Sequence, residues 1–229
     1  MGVLRYPFFY IMATPTYATS TELDAVNSIL MSVGESPVNT LNTQSPEVAI
    51  AQTTLRQVAR EVQAEGWSFN QEQAVKFTPD SNDQVELGDN IIAVDANRYY
   101  HLDTYDVTMK ATTQLVNNKN VTTKKLYNRY EHSDKFPDED TMYLDVTYMY
   151  AFEDLPQVFK DYVTAKSCRI ASLRMIADEG SNPILQQDEV VARANAIEYD
   201  TAQADYNVFN DGRNRQSYTS FRPFNALQR

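Results

Sequence analysis

Adjacent carboxylates are the residues of this sequence best suited to acid–base chemistry. They occur as Asp138-Glu139-Asp140, Glu153-Asp154 and Asp188-Glu189. Two carboxyl groups can cleave a glycosidic bond, so a hydrolase is one function that the sequence permits. With 31 acidic residues in 229, however, neighbouring acids also arise by chance. The simpler interpretation is that residues 138–140 form a solvated loop and that Asp154 caps a helix, so we predict no catalytic residue.

Histidine and cysteine offer little further chemistry. His101 and His132 have no histidine or cysteine at metal-ligand spacing, so we predict no metal site. The run Glu131-His132-Ser133-Asp134 contains the residue types of a catalytic triad, but triads are assembled across a fold and a solvated turn is the simpler interpretation. Cys168, the one cysteine, excludes an internal disulfide and is expected to pack between helices. Six glycines and no GxGxxG or GxxxxGK[ST] pattern argue against a nucleotide cofactor.

The ends of four helices are well marked in the sequence. The stretch Thr19-Ser20-Thr21-Glu22 offers N-caps and a capping box for the first helix, and Ser45, Asp154-Leu155-Pro156 and Asn182-Pro183 open the other three. Gly34, Gly66, Gly180 and Gly212 follow the four helices. We expect each helix to bury one stripe of apolar side chains. In chain order, the four stripes are Leu23, Val26, Leu30 and Val33; Val48, Ala51, Leu55, Val58 and Val62; Phe159, Tyr162, Val163, Ile170, Leu173 and Ala177; and Val190, Ala194, Ile197, Ala204 and Val208.

The sequence between the helical pairs alternates like β-strands. Strand-like segments are 91–94, 99–102, 107–109, 121–127 and 142–150, with Asn and Asp at the turns 82–83, 95–97 and 117–120. The predicted fold is α+β: a four-helix bundle with an inserted antiparallel β-rich domain and an extended C-terminal tail. The predicted divisions are an N-terminal arm (1–20), a helical pair (21–66), the β-rich insert (67–150), a second helical pair (151–211) and a C-terminal docking tail (212–229).

Charge is divided unevenly along the chain. The net charge is −11, and the sequence pI is about 4.6. Residues 206–229 carry four arginines and one acid, whereas residues 1–205 carry a net charge of −14. The acidic body argues against a protein that grips nucleic acid. No stretch approaches the roughly 18–20 apolar residues of a membrane span.

The C-terminal segment (residues 212–229) combines arginine with aromatic residues, a composition typical of interface anchors. Its candidate docking residues are Arg213, Arg215, Tyr218, Phe221, Arg222 and Phe224. Docking to another protein is the favoured interpretation. Stacking on single-stranded nucleic acid and a disordered end are the alternatives.

Three helical stretches resemble the tail tubular protein A family, the head–tail adaptors or gatekeepers of short-tailed bacteriophages. They are Glu22-Leu23-Asp24-Ala25-Val26-Asn27-Ser28-Ile29-Leu30, Ser32-Val33-Gly34-Glu35-Ser36-Pro37-Val38 and Gly66-Trp67-Ser68-Phe69-Asn70. Later stretches are similar as well: Glu153-Asp154-Leu155-Pro156, Leu185-Gln186-Gln187-Asp188-Glu189 and Glu198-Tyr199. The resemblance covers residues 21–79 and 141–210.

The resemblance implies a structural virion protein that is assembled in the host cytoplasm and located in the viral tail. It implies a homo-oligomeric ring of twelve copies between the portal and the tubular nozzle (a tubular protein B type partner), with tail fibres attached nearby. The bundles would surround a channel through which double-stranded DNA is ejected without specific binding, and the C-terminal segment would reach the portal. No cofactor and no membrane are implied. Because some adaptors of this broad group are linked to cell-wall hydrolysis, the resemblance also leaves open a peptidoglycan-degrading (muralytic) tail-associated enzyme. A soluble scaffold unrelated to phages is the other alternative.

Overall fold

The structure is a computed structural model that describes residues 19–41, 45–97, 100, 106–116, 119–137, 141–176 and 182–204. The helices in these residues are α1 (Glu22–Ser32), α2 (Pro46–Ala64), α3 (Gln157–Met175) and α4 (Asn182–Ala204), with a short 3₁₀ helix (Phe152–Asp154) before α3. The strands are β1 (Gln71–Phe77), β2 (Glu86–Leu87), β3 (Ile91–Ala96), β4 (Val107–Val116), β5 (Lys119–Asn128) and β6 (Met142–Tyr148). The fold therefore mixes helix and sheet, as predicted.

Local signals in the sequence account for the first two helices. Thr21 caps α1 in a capping box, in which Asp24 Oδ2 accepts from the Thr21 backbone N–H at 2.9 Å. Proline at the first position of α2 lacks the N–H that the helix would leave unpaired. Gly34 and Gly66 follow the two helices at φ +80° and +75°, in the left-handed region that glycine adopts most readily.

The helices share one core, in which α3 packs against α1, α2 and α4. Phe159 is fully buried at its centre and contacts the rings of Trp67, Phe69 and Tyr199, with centroid distances of 4.9, 4.5 and 6.1 Å. Trp67 Nε1 donates to the Val62 carbonyl at 2.7 Å, which satisfies the buried indole N–H. An aromatic cluster therefore ties α3 to α4 and to the segment that follows α2.

Two antiparallel sheets form the β-rich region. Their strand orders are β1-β6-β3 and β2-β5-β4, and they share a second core. The buried members of that core are Val85, Leu87, Ile91, Val107, Leu126, Phe136, Met142, Leu144 and Val146. Because β6 is the central strand and alternates inward and outward residues, it brings three of these side chains into the core.

Two buried amides join the helical and β-rich regions. Gln63 donates to the Tyr150 carbonyl at 3.1 Å and accepts from the Tyr150 N–H at 2.7 Å. Asn70 donates to the Gln63 and Tyr148 carbonyls and accepts from the Trp67 N–H. Each amide therefore supplies donors and an acceptor to backbone groups that the fold removes from water.

The N-terminal ends of α1 and α3 are also joined, although they lie far apart in sequence. Glu153 Oε1 accepts from the Glu22 N–H at 2.8 Å. Gln157 accepts from the Ser20 N–H at 2.9 Å and donates to the Ser20 hydroxyl at 2.8 Å. The carboxylate of Glu153 thus caps α1 from another part of the chain.

Several sequence-based expectations differ from the structure. α3 ends at Met175, before the predicted stop at Gly180, and Pro156 rather than Asp154 occupies its N-cap position. Lys119 and Asn120, predicted as turn residues, belong to β5 because Val116 pairs with Lys119. β1 and β2 were not predicted, and the predicted strand 99–102 is not described apart from Tyr100.

The predicted stripe of α4 is wrong. Val190, Ala194 and Ile197 are exposed, and Ala196 is instead fully buried against α3. Leu173 of α3 is likewise exposed, although the sequence predicted it in the core. Within the described residues no helix is both long and apolar enough to cross a membrane.

Candidate assembly surface

The residues with catalytic potential take structural roles where the structure describes them. Glu153 caps α1, and Glu189 forms an ion pair with Arg169. Residues 138–140 lie outside the described residues. Asp188 is exposed and lines open grooves beside α4.

The triad-like run Glu131-His132-Ser133-Asp134 forms a turn. His132 adopts φ +55°, the Asn128 and Ser133 backbones exchange hydrogen bonds, and Asp134 accepts from the Gln84 amide at 2.6 Å. His101 lies outside the described residues. Among the residues described, no group of three His, Cys, Asp or Glu side chains is placed to hold a metal ion.

Cys168 is buried between α3 and its neighbours, as the sequence predicted. Burial raises the pKa of the thiol to about 11, outweighing a hydrogen bond with Ser32 that lowers it. The thiolate is the nucleophilic form, so this side chain is unreactive at neutral pH.

Helix α4 is attached to the rest of the helical region by polar groups along one edge. The Arg193 guanidinium donates to Glu65 at 3.2 Å and to the Tyr162 hydroxyl at 3.4 Å. Arg169 pairs with Glu189, and this hydrogen bond raises the pKa of the guanidinium. These contacts fix which face of α4 meets α3.

Outside its contact with α3, helix α4 leaves several large apolar side chains uncovered. Ile184, Val190, Val191 and Ile197 are 66 %, 61 %, 54 % and 47 % exposed. An apolar patch of this kind on a folded subunit marks a contact with another molecule. The sequence predicted that Val190 and Ile197 are buried, because they have the spacing of a core stripe. The structure shows both side chains exposed.

Two grooves flank the contact between α3 and α4. The larger, of about 670 Å³, has a floor of Val158, Val191, Ala192, Tyr199 and Ala202, and the smaller, of about 490 Å³, lies between α1, α3 and α4. Asp161 and Asp188 line both grooves, and Glu198 lines the larger. No lysine, arginine or histidine is among the described residues that line them. The grooves therefore suit a guest that is apolar and positively charged.

The six candidate docking residues of the C-terminal segment, Arg213, Arg215, Tyr218, Phe221, Arg222 and Phe224, lie outside the described residues. The last residue that the structure describes before them is Ala204, two positions after Ala202, which lines the larger groove. No local pattern in the sequence indicates this groove, because its acids come from two helices that only the fold brings together.

A comparison with protein families assigns a relationship to the chain. The family model described as "Tube: Tail tubular protein" matches residues 23–206, about four-fifths of the chain. The match covers both sheets and all four helices apart from Glu22, the first residue of α1. No curated protein matches the chain.

Proposed function

The chain belongs to the tail tubular protein family, and from that premise we propose that it is a head–tail adaptor of a short-tailed phage. In this proposal, about twelve copies form a ring that joins the portal to the tubular nozzle. The ring forms part of the DNA ejection channel. Family membership itself makes the chain a structural component of a phage tail.

The exposed apolar face of α4 is the observation that carries the ring proposal. The core formed by α1, α2 and α3 is complete without this face, since Ile184, Val190, Val191 and Ile197 do not contribute to it. A neighbouring subunit that covered these side chains would remove apolar surface from water, which stabilises an assembly. Ala194 is also exposed on this side of α4, and its small side chain allows another helix to approach closely.

The helices would then form a four-helix bundle in each subunit, with bundles side by side around the channel. The C-terminal segment would dock on the portal through its arginines and aromatic rings, and the β-rich region would face the nozzle, near the tail fibres. The net charge of −14 on residues 1–205 supports a channel wall that repels DNA phosphates, so that the genome slides without sticking.

Ring formation can be tested by weakening the α4 face alone. We expect the Val190→Ser/Ile197→Ser double variant to stay monomeric under conditions where the unmodified chain forms rings with the portal, as seen by electron microscopy and mass photometry. Ile50→Ser is the matched control, because Ile50 is also exposed but lies on α2. Rings formed equally well by the double variant would contradict the assignment of α4.

Portal docking needs a separate variant. Deletion of residues 213–229 should abolish binding to purified portal while circular dichroism shows an unchanged fold. Binding that survives the deletion would contradict the docking role of Arg213, Arg215, Tyr218, Phe221, Arg222 and Phe224.

A further inference from the structure

The larger groove between α3 and α4 lacks an occupant in the described part of the chain, although its chemistry is well defined. Val158, Val191 and Tyr199 give it an apolar floor, and Asp161, Asp188 and Glu198 give it an acidic rim. All three carboxylates are exposed. An occupant must therefore carry positive charge beside apolar or aromatic groups.

One segment of this chain has that composition. Residues 213–229 carry four arginines, no acid and the aromatic residues Tyr218, Phe221 and Phe224. Residues 107–130 are also basic and free of acids, but they form strands β4 and β5 of the β-rich region. Arginine suits this role because its planar guanidinium pairs with carboxylates and stacks on aromatic faces.

Chain length allows the segment to reach the groove of its own subunit. Ala202 lines the groove near the end of α4, and Asp188 lies 14 residues earlier, about 21 Å back along the helix axis. Nine residue steps separate Ala204 from Arg213 and span up to about 30 Å when extended. Arg213 and Arg215 can therefore lie beside Glu198 or Asp188 if the chain turns back after α4.

We propose that, before the ring assembles, residues 213–229 dock in cis in the acidic groove between α3 and α4. The short connection gives the segment a millimolar effective concentration at the groove, so a weak site suffices to hold it. The groove lies beside Val191 on the apolar face of α4, so the docked segment partly covers the surface that a neighbouring subunit would use.

Limited trypsin digestion of the full-length protein, without portal, tests the proposal. Trypsin cleaves after Arg213 and Arg215 only when the segment is released, and the rate follows the population of the released state. If the segment is docked about nine-tenths of the time, these cuts are about tenfold slower in the unmodified chain than in the Asp188→Asn/Glu198→Gln variant. Mass spectrometry of the products measures both rates.

A matched variant controls for net charge. Glu86→Gln/Asp89→Asn also removes two exposed carboxylates, but from the β-rich region, and should be cleaved at the same rate as the unmodified chain. Equal rates in all three proteins would overturn the proposal, as would protection that rises with protein concentration, because the occupant would then come from a second copy.

Amide hydrogen exchange gives a second measurement that needs no substitution. Protection of residues 214–229 in the unmodified chain should fall between about 0.05 M and about 0.5 M salt, because salt screens exposed charges. Absence of protection at low salt would overturn the proposal. Neither experiment contains portal, so a negative result leaves the portal-docking role of the segment open, and a failure of portal binding leaves the groove assignment intact.

Discussion

Helices α3 and α4 are neighbours in sequence and in space, yet they take part in the core very differently. Eight of the 19 residues of α3 are buried, including Phe159, Tyr162 and Val163. In the 23-residue α4, Ala196 alone is buried among the side chains that the structure describes. Both helices contain enough apolar residues to be buried, so composition does not explain the difference.

The difference lies in how many sides of each helix the chain itself covers. α3 is contacted by α1, α2 and α4, whereas α4 packs principally against α3. A helix that is apolar on more than one side is normally buried on more than one side. The core of the subunit therefore depends on α3, whereas the outer side of α4 is left uncovered by the described residues and is available to another molecule or segment.

The strongest test of this comparison is truncation of one large side chain on each helix. Phe159→Ala should lower the free energy of unfolding by about 3–5 kcal/mol, because it leaves a cavity among Trp67, Phe69 and Tyr199. Ile184→Ala, on the exposed face of α4, should change it by less than about 0.5 kcal/mol in the monomer. Urea denaturation measures both, and comparable losses would remove the distinction between the two helices.

The junction between the helical and β-rich regions offers a second, smaller effect. Asn70→Ala removes three hydrogen bonds of a fully buried side chain and leaves the Trp67 N–H without its acceptor, so we expect a loss of about 2–4 kcal/mol. Asn82→Ala is the control, since its exposed side chain bonds only to Asp80 nearby. Two separate unfolding transitions would show that the substitution destabilises only one of the two regions. A single transition at a lower denaturant concentration would show that the helical and β-rich regions unfold together.

The smallest expected effect concerns the buried thiol of Cys168 in α3. The folded protein raises the pKa of this thiol from 9.0 to about 11, so its contribution to stability is complete below pH 9 and is lost as the pH rises through 11. The loss is at most about 2–3 kcal/mol. Chemical denaturation between pH 8 and pH 11 should show a steeper decline for the unmodified chain than for Cys168→Ala; parallel curves would contradict the assignment.

The sequence predicts the helices well because their ends carry local signals. Pro46, Gly34 and Gly66 act within a turn of their own positions, and the structure places them as predicted. Within the predicted opening stretch 19–22, it is Thr21 that caps α1. The strands are less predictable. β1 was missed because the alternation breaks at Ala74, a left-handed residue in a bulge whose N–H donates to Asp145 of β6.

The surface of α4 could be predicted only in part. Its apolar residues are visible in the sequence, but periodicity alone cannot say which of two stripes the chain will cover. Ala196 and Tyr199 meet α3 because Arg193 and Asp200 anchor that side, through Glu65 and the Ser68 N–H. Those partners are more than 120 residues away, beyond the reach of any local pattern.

The paired hydrogen bonds between Ser20 and Gln157 also bear on the order in which the chain folds. Their partners are 137 positions apart, and the whole β-rich region lies between them. During synthesis, α1 and α2 emerge long before α3, so their apolar stripes can pack only on each other until residues 157–175 have been made. Contacts this distant in sequence slow folding. We therefore expect the β-rich region to fold first and to draw the two helical pairs together, with helical closure as the last and slowest event.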